Sequence, residues 1–260
     1  MAQAIEAIAQ GTPSWWELAT RDVEAATKFY SALCGWTTEA WPMGSGGTYH
    51  MFKKGEVSFG GMIDANMPQM EGVPAHWMTY IHVDDVDASA AKTTELGGQI
   101  MVPPMDIPEV GGMSVVSDPT GAAFTLFSSN TPYPIAPVIV WNELMTKDQA
   151  KATSFYTKLF GYDTDDMPIG GDGIYKILKV GEKGVGGIFN MAGPEFEHVP
   201  SHWMPYIGTD NVDAMAEKTK TLGGQIIHGP ADIPNNMGRF VVIKDPTGAV
   251  ISFYQPAKQA

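Results

Sequence analysis

The chain has 260 residues, of which 44% are hydrophobic and 17% charged, an ordinary composition for a globular protein. Its formal net charge of -13 argues against nucleic acid or an anionic membrane as a partner, because phosphate-rich surfaces would repel it. The single cysteine, Cys34, excludes an internal disulfide framework and indicates a reducing compartment. The first residues lack a basic start and no apolar run approaches about 18 residues, so we expect a cytoplasmic protein without a signal peptide or membrane span.

The first predicted elements are a strand, a helix and two or three further strands. Ser14 to Leu18 alternate in polarity, as a half-buried strand does. Asp22 is a candidate N-cap for a helix over Glu24 to Leu33, whose apolar residues recur at helical spacing before a glycine ends it. Glycine-rich turns then separate short predicted strands around Tyr49 to Phe52 and Val57 to Ile63.

The same order of elements recurs further along the chain. A predicted strand over Trp77 to Val83 leads to a helix through Ala88 to Leu96, with Asp85 or Asp87 as its cap. Two glycines end this helix, and a DPTG turn at Asp118 separates the last two strands. The three strands that follow the helix are predicted over Gln99 to Val102, Met113 to Ser117 and Ala123 to Phe127.

The second half of the chain repeats the first at a distance of 126 positions, from Trp15 to Trp141. The repeat predicts an α+β fold of four βαβββ modules, arranged as two similar domains over residues 1–130 and 131–260. A segment rich in Pro, Ser and Asn, Ser128 to Val138, is the predicted linker.

Three motifs carry a resemblance to a known superfamily. They are D-x-x-x-A-x-x-F-Y-x-x-x-x-G from Asp22 and from Asp148, V-D-D-V-D-A from Val83, and D-P-x-G at Asp118 and Asp245. The chain resembles the vicinal oxygen chelate superfamily, which includes glyoxalase I, the bleomycin-resistance proteins and the extradiol dioxygenases. It is most similar to the fused two-domain glyoxalase-like proteins of actinobacteria. The resemblance implies a cupped mixed sheet in each domain, with a divalent metal held on the concave face by His, Gln or Glu.

The positions that the resemblance assigns to metal ligands hold residues that bind metals poorly. They are Trp15, Met78, Thr125, Trp141, Met204 and Ser252. We therefore expect no metal site of the usual kind and predict no cofactor, with a divalent metal at a displaced site as the alternative. We expect these side chains to contact a ligand instead, together with Tyr80 and Tyr206, which share the strand parity of the two methionines. Tyr49 and Tyr175 recur at matched strand positions and offer further hydroxyls.

In each half, a glutamate and a histidine lie two residues along the strand from the positions that lack a metal ligand. Glu17 follows Trp15 by two residues and His76 precedes Met78 by two, while the second half has Glu143 and His202. If the first strands of a domain run antiparallel, Glu17 faces His76, and Glu143 faces His202. Such a pair could act as a general acid or base with a raised imidazole pKa, hold a displaced metal, or satisfy two buried polar groups.

These observations predict a protein that binds a small, partly apolar or oxygenated molecule in a cupped cavity without a metal. The alternative is an active glyoxalase-type lyase or isomerase, or a dioxygenase-like enzyme, that uses the displaced Glu and His and possibly a divalent metal. The expected partner is a small molecule, and both a monomer and a homodimer are compatible with the sequence.

Overall fold

The structure, a computed structural model, describes residues 7–43 and 47–257. The first half contains β1 (Pro13–Thr20), α1 (Val23–Cys34), β2 (Thr37–Pro42), β3 (Thr48–Lys54), β4 (Val57–Asp64), β5 (His76–His82), α2 (Val86–Glu95), β6 (Gln99–Ile107), β7 (Gly111–Ser117) and β8 (Ala123–Ser129). The second half contains β9 (Ile139–Thr146), α3 (Gln149–Phe160), β10 (Asp163–Pro168), β11 (Ile174–Val180), β12 (Lys183–Asn190), β13 (His202–Gly208), α4 (Val212–Thr221), β14 (Gln225–Ile233), β15 (Gly238–Lys244) and β16 (Val250–Pro256). Within these described ranges, no helix is both long and apolar enough to cross a membrane.

The strands form two eight-stranded mixed sheets with the same order. The first is β2-β3-β4-β1-β5-β8-β7-β6 and the second is β10-β11-β12-β9-β13-β16-β15-β14. Strand β1 pairs parallel with β4, and β5 pairs parallel with β8, whereas β2, β3 and β4 are antiparallel neighbours. Each βαβββ module therefore supplies four adjacent strands, and the predicted α+β class with four modules is confirmed.

The helices begin and end where their sequence signals predict. The Asp22 carboxylate accepts a 2.8 Å hydrogen bond from the first turn of α1, and Gly35 ends this helix with a left-handed φ of 72°. In α2 the cap is Asp85 rather than Asp87, with a 2.9 Å bond from the backbone N–H of Ala88. This helix starts two residues before the predicted first residue because the earlier of the two aspartates caps it.

Strand β6 is longer than predicted. The expectation was a strand from Gln99 to Val102, but β6 continues to Ile107 through Pro103 and Pro104. It is the last strand of its sheet and pairs with β7 alone among the described strands, and the two prolines lie where this pairing is irregular, between Val102 and Met105, so that their missing N–H groups interrupt no regular ladder.

Packing divides the chain into two compact units, each of which draws on both halves of the sequence. Unit A contains Trp15–Met78, Ile135–Val140 and the chain from Pro205 onward. Unit B contains the chain up to Ser14, Thr79–Pro134 and Trp141–Met204. Each unit thus combines one module from the first half with one from the second.

Each unit has its own hydrophobic core. In unit A the buried side chains of β1 and α1 belong to the same cluster as those of α4, β15 and β16, for example Trp16, Phe29, Val241 and Phe253. In unit B the corresponding cluster joins buried residues of α2, β7 and β8 to those of β9 and α3. Because these side chains are almost fully removed from water, the two cores are the main source of stability.

A buried hydrogen-bonded chain links two of the family motifs inside unit A. Trp77 Nε1 donates to the Tyr30 hydroxyl at 2.9 Å, and this hydroxyl donates to Asp245 Oδ2 at 2.9 Å. Burial, and next the charge of Asp245, raise the pKa of Tyr30 well above its usual value, so the phenol remains a donor. The Phe-Tyr of the helix motif and the Asp of D-P-x-G therefore stabilise the core.

Unit B repeats this arrangement. Trp203 Nε1 donates to the Tyr156 hydroxyl at 2.9 Å, and burial together with the Asp118 carboxylate raises the pKa of Tyr156 well above its usual value. The recurrence explains why both motifs occur twice in the chain.

Candidate functional site

The predicted site residues of β1 lie on the face of the sheet opposite the core. Trp16 is only 1% exposed and belongs to the core of unit A. Because successive side chains of a strand alternate between faces, Trp15 and Glu17 lie on the other face, and both are partly exposed. Trp141 and Glu143 repeat this pattern in β9.

Glu17 belongs to a hydrogen-bonded cluster that also contains Trp15 and Tyr49. Trp15 Nε1 donates to the Tyr49 hydroxyl at 2.9 Å, and the hydroxyl donates to the Glu17 carboxylate. Burial, followed by the charge of Glu17, raises the pKa of Tyr49 well above its usual value, while the bond from Trp15 opposes that rise. The phenol therefore stays neutral and keeps its proton directed at Glu17.

A glycine provides the space for this tyrosine. Gly61 in β4 is the register partner of Glu17 in β1, and a Cβ atom at this glycine would lie 2.4 Å from the Tyr49 ring. Any other residue would push the ring away, since carbon atoms cannot approach so closely. We refer to Trp15, Glu17, Tyr49 and Gly61 as the Glu17 cluster.

The second half contains the matching Glu143 cluster, which consists of Trp141, Glu143, Tyr175 and Gly187. Trp141 Nε1 donates to the Tyr175 hydroxyl at 2.7 Å. Gly187 is the register partner of Glu143, and a Cβ atom there would lie 2.3 Å from the Tyr175 ring. The tyrosine thus covers the glycine beside the glutamate in both halves.

Each predicted catalytic histidine is held by a nearby proline carbonyl. The Nδ1 atoms of His76 and His202 lie 2.8 Å from the carbonyl oxygens of Pro74 and Pro200. A carbonyl only accepts, so Nδ1 carries the proton and Nε2 is the acceptor of the neutral ring. Burial lowers the pKa of His202 below its usual value, with the Pro200 bond opposing the shift. A dominant carboxylate partner would have raised this pKa.

The predicted ligand-contacting tyrosines stand beside the hydroxyl residues of the neighbouring strand. Tyr80 is paired in register with Thr125, and Tyr206 with Ser252. Thr125 and Ser252 have no exposed surface and the tyrosines are 6% and 7% exposed, so a ligand would reach the hydroxyl residues only after neighbouring side chains move.

The predicted site residues are shared equally between the compact units. Unit A holds Trp15, Glu17, His76, Met78, Tyr206 and Ser252. Unit B holds Tyr80, Thr125, Trp141, Glu143, His202 and Met204. The structure brings Trp15 and Glu17 together through Tyr49, while the predicted pairing of Glu17 with His76 and of Glu143 with His202 stays a prediction.

The residues at the implied metal-ligand positions do not fit a hard divalent cation. An indole N–H only donates hydrogen bonds, and that of Trp15 is already directed at Tyr49. The thioethers of Met78 and Met204 are soft donors, whereas hard cations prefer oxygen ligands and borderline divalent metals prefer imidazole. In the part of the chain that the structure describes, no three or more His, Cys, Asp or Glu side chains form a group that could hold a metal ion.

Two features of the site were not identified from the sequence. One is the contact of Tyr49 and Tyr175 with the glutamate-bearing strand. The other is a pair of salt bridges on the same face, Lys53 to Glu39 at 3.0 Å and Lys179 to Asp165 at 3.1 Å. The repeat could have indicated both features, because the residues that form them match at the offset of 126 positions: Gly61 and Gly187, Lys53 and Lys179, and Glu39 and Asp165.

The fold agrees with a match to one protein family. The family model of the Glyoxalase/Bleomycin resistance protein/Dioxygenase superfamily matches residues 12–126 and again residues 138–253. The chain therefore belongs to this superfamily and contains two copies of its characteristic domain.

Similar proteins extend over nearly the whole chain. "Putative glyoxylase CFP32" of Mycobacterium tuberculosis is 41% identical over 256 residues, which cover 96% of this chain and 97% of that protein. "Anthracycline biosynthesis protein DnrV" of Streptomyces peucetius is 30% identical over 262 residues, covering 94% of this chain and 93% of that protein.

Solved structures of the superfamily share the fold. The 2,3-dioxygenase LapB from Pseudomonas sp. KL28 has a TM-score of 0.67 at 14% identity, covering 97% of this chain and 95% of the dioxygenase chain. The Mn(II)-bound glyoxalase from Novosphingobium aromaticivorans has a TM-score of 0.64 at 18% identity, covering 96% and 84%. At these identities the likeness concerns the fold alone.

Proposed function

We propose that the protein binds a small, partly apolar molecule at the Glu17 and Glu143 clusters, without the divalent metal that the resemblance implies. One observation carries this proposal: in both halves a tryptophan stands at a metal-ligand position and donates its N–H to a tyrosine beside a glutamate. The cluster offers aromatic surface and a hydrogen-bonding carboxylate, which are typical components of a ligand site.

The partial exposure of Trp15, Glu17, Trp141 and Glu143 supports this proposal. A carboxylate inside a core would be expensive to desolvate, whereas a carboxylate on an open aromatic face can receive a ligand. The partners of the tyrosines hold their rings in one orientation, and a preorganised site loses less entropy on binding.

The test measures metal content and ligand binding on the same preparation. The protein is purified without chelators, incubated with excess Mn(II) and Zn(II), desalted and analysed for metals by mass spectrometry. Binding of the neutral dye Nile red is then titrated with and without EDTA. We expect no stoichiometric metal and an unchanged dye affinity in EDTA. About one tightly held metal ion per domain, with dye binding lost in EDTA, would overturn the proposal.

A second candidate function is a metal-independent isomerase or lyase of glyoxalase type. It is favoured by the contact of an ionisable carboxylate, Glu17, with a phenol that remains protonated, Tyr49. The carboxylate would take a proton from a carbon atom next to a carbonyl group and return it to the neighbouring atom. The 41% identity to a protein named as a glyoxylase agrees with this chemistry.

Solvent exchange separates the two candidates. With a 2-oxoaldehyde thiol adduct in deuterated water, an isomerase incorporates deuterium into the product, and the Glu17→Gln, Glu143→Gln variant should lose about 100-fold or more in rate. A protein that only binds its ligand leaves the adduct unchanged and free of deuterium.

A further inference from the structure

We propose that the Glu17 and Glu143 clusters select an uncharged or cationic aromatic molecule that brings an O–H or N–H donor, and that they reject anions. This inference rests on the proposed binding function and specifies its ligand class. It follows from the direction of the hydrogen bonds and from the charges that share a face with each glutamate.

Two hydrogen bonds of the Glu17 cluster run in sequence toward the carboxylate. The N–H of Trp15 is directed at Tyr49, and the O–H of Tyr49 is directed at Glu17. These two donors are therefore occupied within the cluster. A carboxylate donates nothing and can accept about four hydrogen bonds, so what it requires of a ligand is a donor.

A second acid lies on the same face of the sheet. The strand register aligns Glu39, Met51, Gly61 and Glu17 in one row across four strands. Residues directly opposite each other in neighbouring strands have their side chains on the same face, so both carboxylates border this row. Three interstrand spacings of about 4.8 Å, or about 14 Å, separate the two outer strands of the row, and the Tyr49 ring and the Met51 side chain lie between the two acids.

The lysine on this face does not make the net charge of the face positive. Lys53 forms a 3.0 Å salt bridge with Glu39, which therefore neutralises it. With Glu17 as the second carboxylate, the three groups sum to one negative charge, because two carboxylates face one ammonium group. An anion placed between them would meet net repulsion.

The second sheet has the same arrangement in the strands that belong to unit B. The register aligns Asp165, Ile177, Gly187 and Glu143 in one row. Lys179 forms a 3.1 Å salt bridge with Asp165, so these three groups also sum to one negative charge. The aromatic rings of Tyr175 and Trp141 lie beside this row.

The chain has two arginines, and both are engaged elsewhere. Arg21 donates to the carbonyls of Ala65 at 3.1 Å and Val73 at 2.9 Å. Arg239 donates to Asp232 and Asp213, at 2.5 and 3.0 Å. Guanidinium groups are the usual partners of carboxylates and phosphates, so a ligand with several carboxylates, such as a glutathione adduct, lacks a counterpart here.

The experiment compares ligands that share one ring system. Isothermal titration calorimetry in EDTA measures 2-naphthol, 2-naphthylamine, 2-methoxynaphthalene and 2-naphthoate. We expect the two donors to bind more tightly than the methoxy compound, and naphthoate to bind most weakly; naphthol and naphthylamine distinguish a hydroxyl from an amine donor. In Glu17→Gln, Glu143→Gln, the ratio of naphthol to naphthoate affinity should fall about tenfold, because the charge-assisted bond weakens and the repulsion disappears.

The control is Glu56→Gln, Glu182→Gln, which changes the net charge equally at two exposed turns that match in the repeat. Its affinity ratio should stay within about twofold of the unmodified protein. Naphthoate binding as tight as naphthol, or an equal fall in the ratio for both variants, would overturn the ligand class while leaving small-molecule binding intact. Binding of none of the four compounds would overturn this inference and the proposed function together.

Discussion

The substitution Gly187→Ala tests the placement of the Tyr175 ring beside Glu143. A methyl group at this glycine would lie 2.3 Å from the ring, so the tyrosine would have to move. The ring is 7% exposed, and its hydroxyl accepts a 2.7 Å bond from Trp141. Overpacking costs about 1–3 kcal/mol and a lost hydrogen bond about 0.5–1.5 kcal/mol, so we expect the free energy of unfolding to fall by about 1.5–4.5 kcal/mol.

The matched control lies in the same strand, β12. A Cβ atom at Gly184 would lie 3.4 Å from the Trp141 ring, which is close to an ordinary contact. Gly184→Ala should therefore change the free energy of unfolding by no more than about 1 kcal/mol. Both variants are measured by urea unfolding, followed by far-UV circular dichroism and extrapolated linearly to water.

A double-mutant cycle identifies the cause of the loss. In a Tyr175→Ala background the methyl group at position 187 has space, so most of the cost of Gly187→Ala should disappear. Equal stability of the Gly187→Ala and Gly184→Ala variants, or a cost that persists without the tyrosine, would refute the placement of the ring.

Three further predictions concern side chains outside the clusters. Tyr30→Phe should lower the free energy of unfolding by about 1.5–3 kcal/mol in urea titrations, since Asp245 Oδ2 loses a buried donor; a loss below about 0.5 kcal/mol would contradict the hydrogen-bonded chain. Because burial lowers the pKa of His202, the unfolded state binds a proton at this residue at higher pH than the folded state does. As the pH falls below about 6.5, stability should therefore decline more steeply in the unmodified protein than in His202→Gln. Urea midpoints of the two proteins that fall by the same amount from about pH 7 to pH 5 would count against this. Burial raises the pKa of the Cys34 thiol to about 12 although the residue is partly exposed, so Ellman's reagent should react with the native protein far more slowly than with the unfolded protein, and equal rates would be inconsistent with this.

The elements with local signals were predictable from the sequence. Asp22 and Gly35 determine the ends of α1 through contacts within one turn, so the pattern alone locates this helix. The extent of β6 depends on its position at the sheet edge, where Pro103 and Pro104 are tolerated. That position follows from the strand order and cannot be read from neighbouring residues.

The candidate site was predictable only in part. Strand parity was enough to place Glu17 on the same face as Trp15, because both belong to one strand. The contact with Tyr49 depends on the register of β1 with β4 and of β4 with β3, which the hydrophobic pattern does not specify. Gly61 could have indicated the contact with Tyr49, since a glycine inside a strand often marks the close approach of another group.

The family motifs were recognised before their physical role was known. Tyr30 and Asp245 lie 215 residues apart, so nothing in the local sequence indicates that they share a hydrogen bond. Their recurrence as Tyr156 and Asp118 is a property of the core and carries no information about the ligand.

The composition of the two cores bears on how a chain of this kind could arise. Each core needs a module from the first half and a module from the second half, so residues 1–130 alone would lack the partner surfaces for both. Two separate half-chains would have to meet by diffusion to bury those surfaces, and their stability would depend on concentration. Joining the halves with a short linker makes this encounter intramolecular, at an effective concentration in the millimolar range. The tandem chain thus converts an assembly equilibrium into a folding equilibrium, and it leaves the two halves free to diverge in sequence.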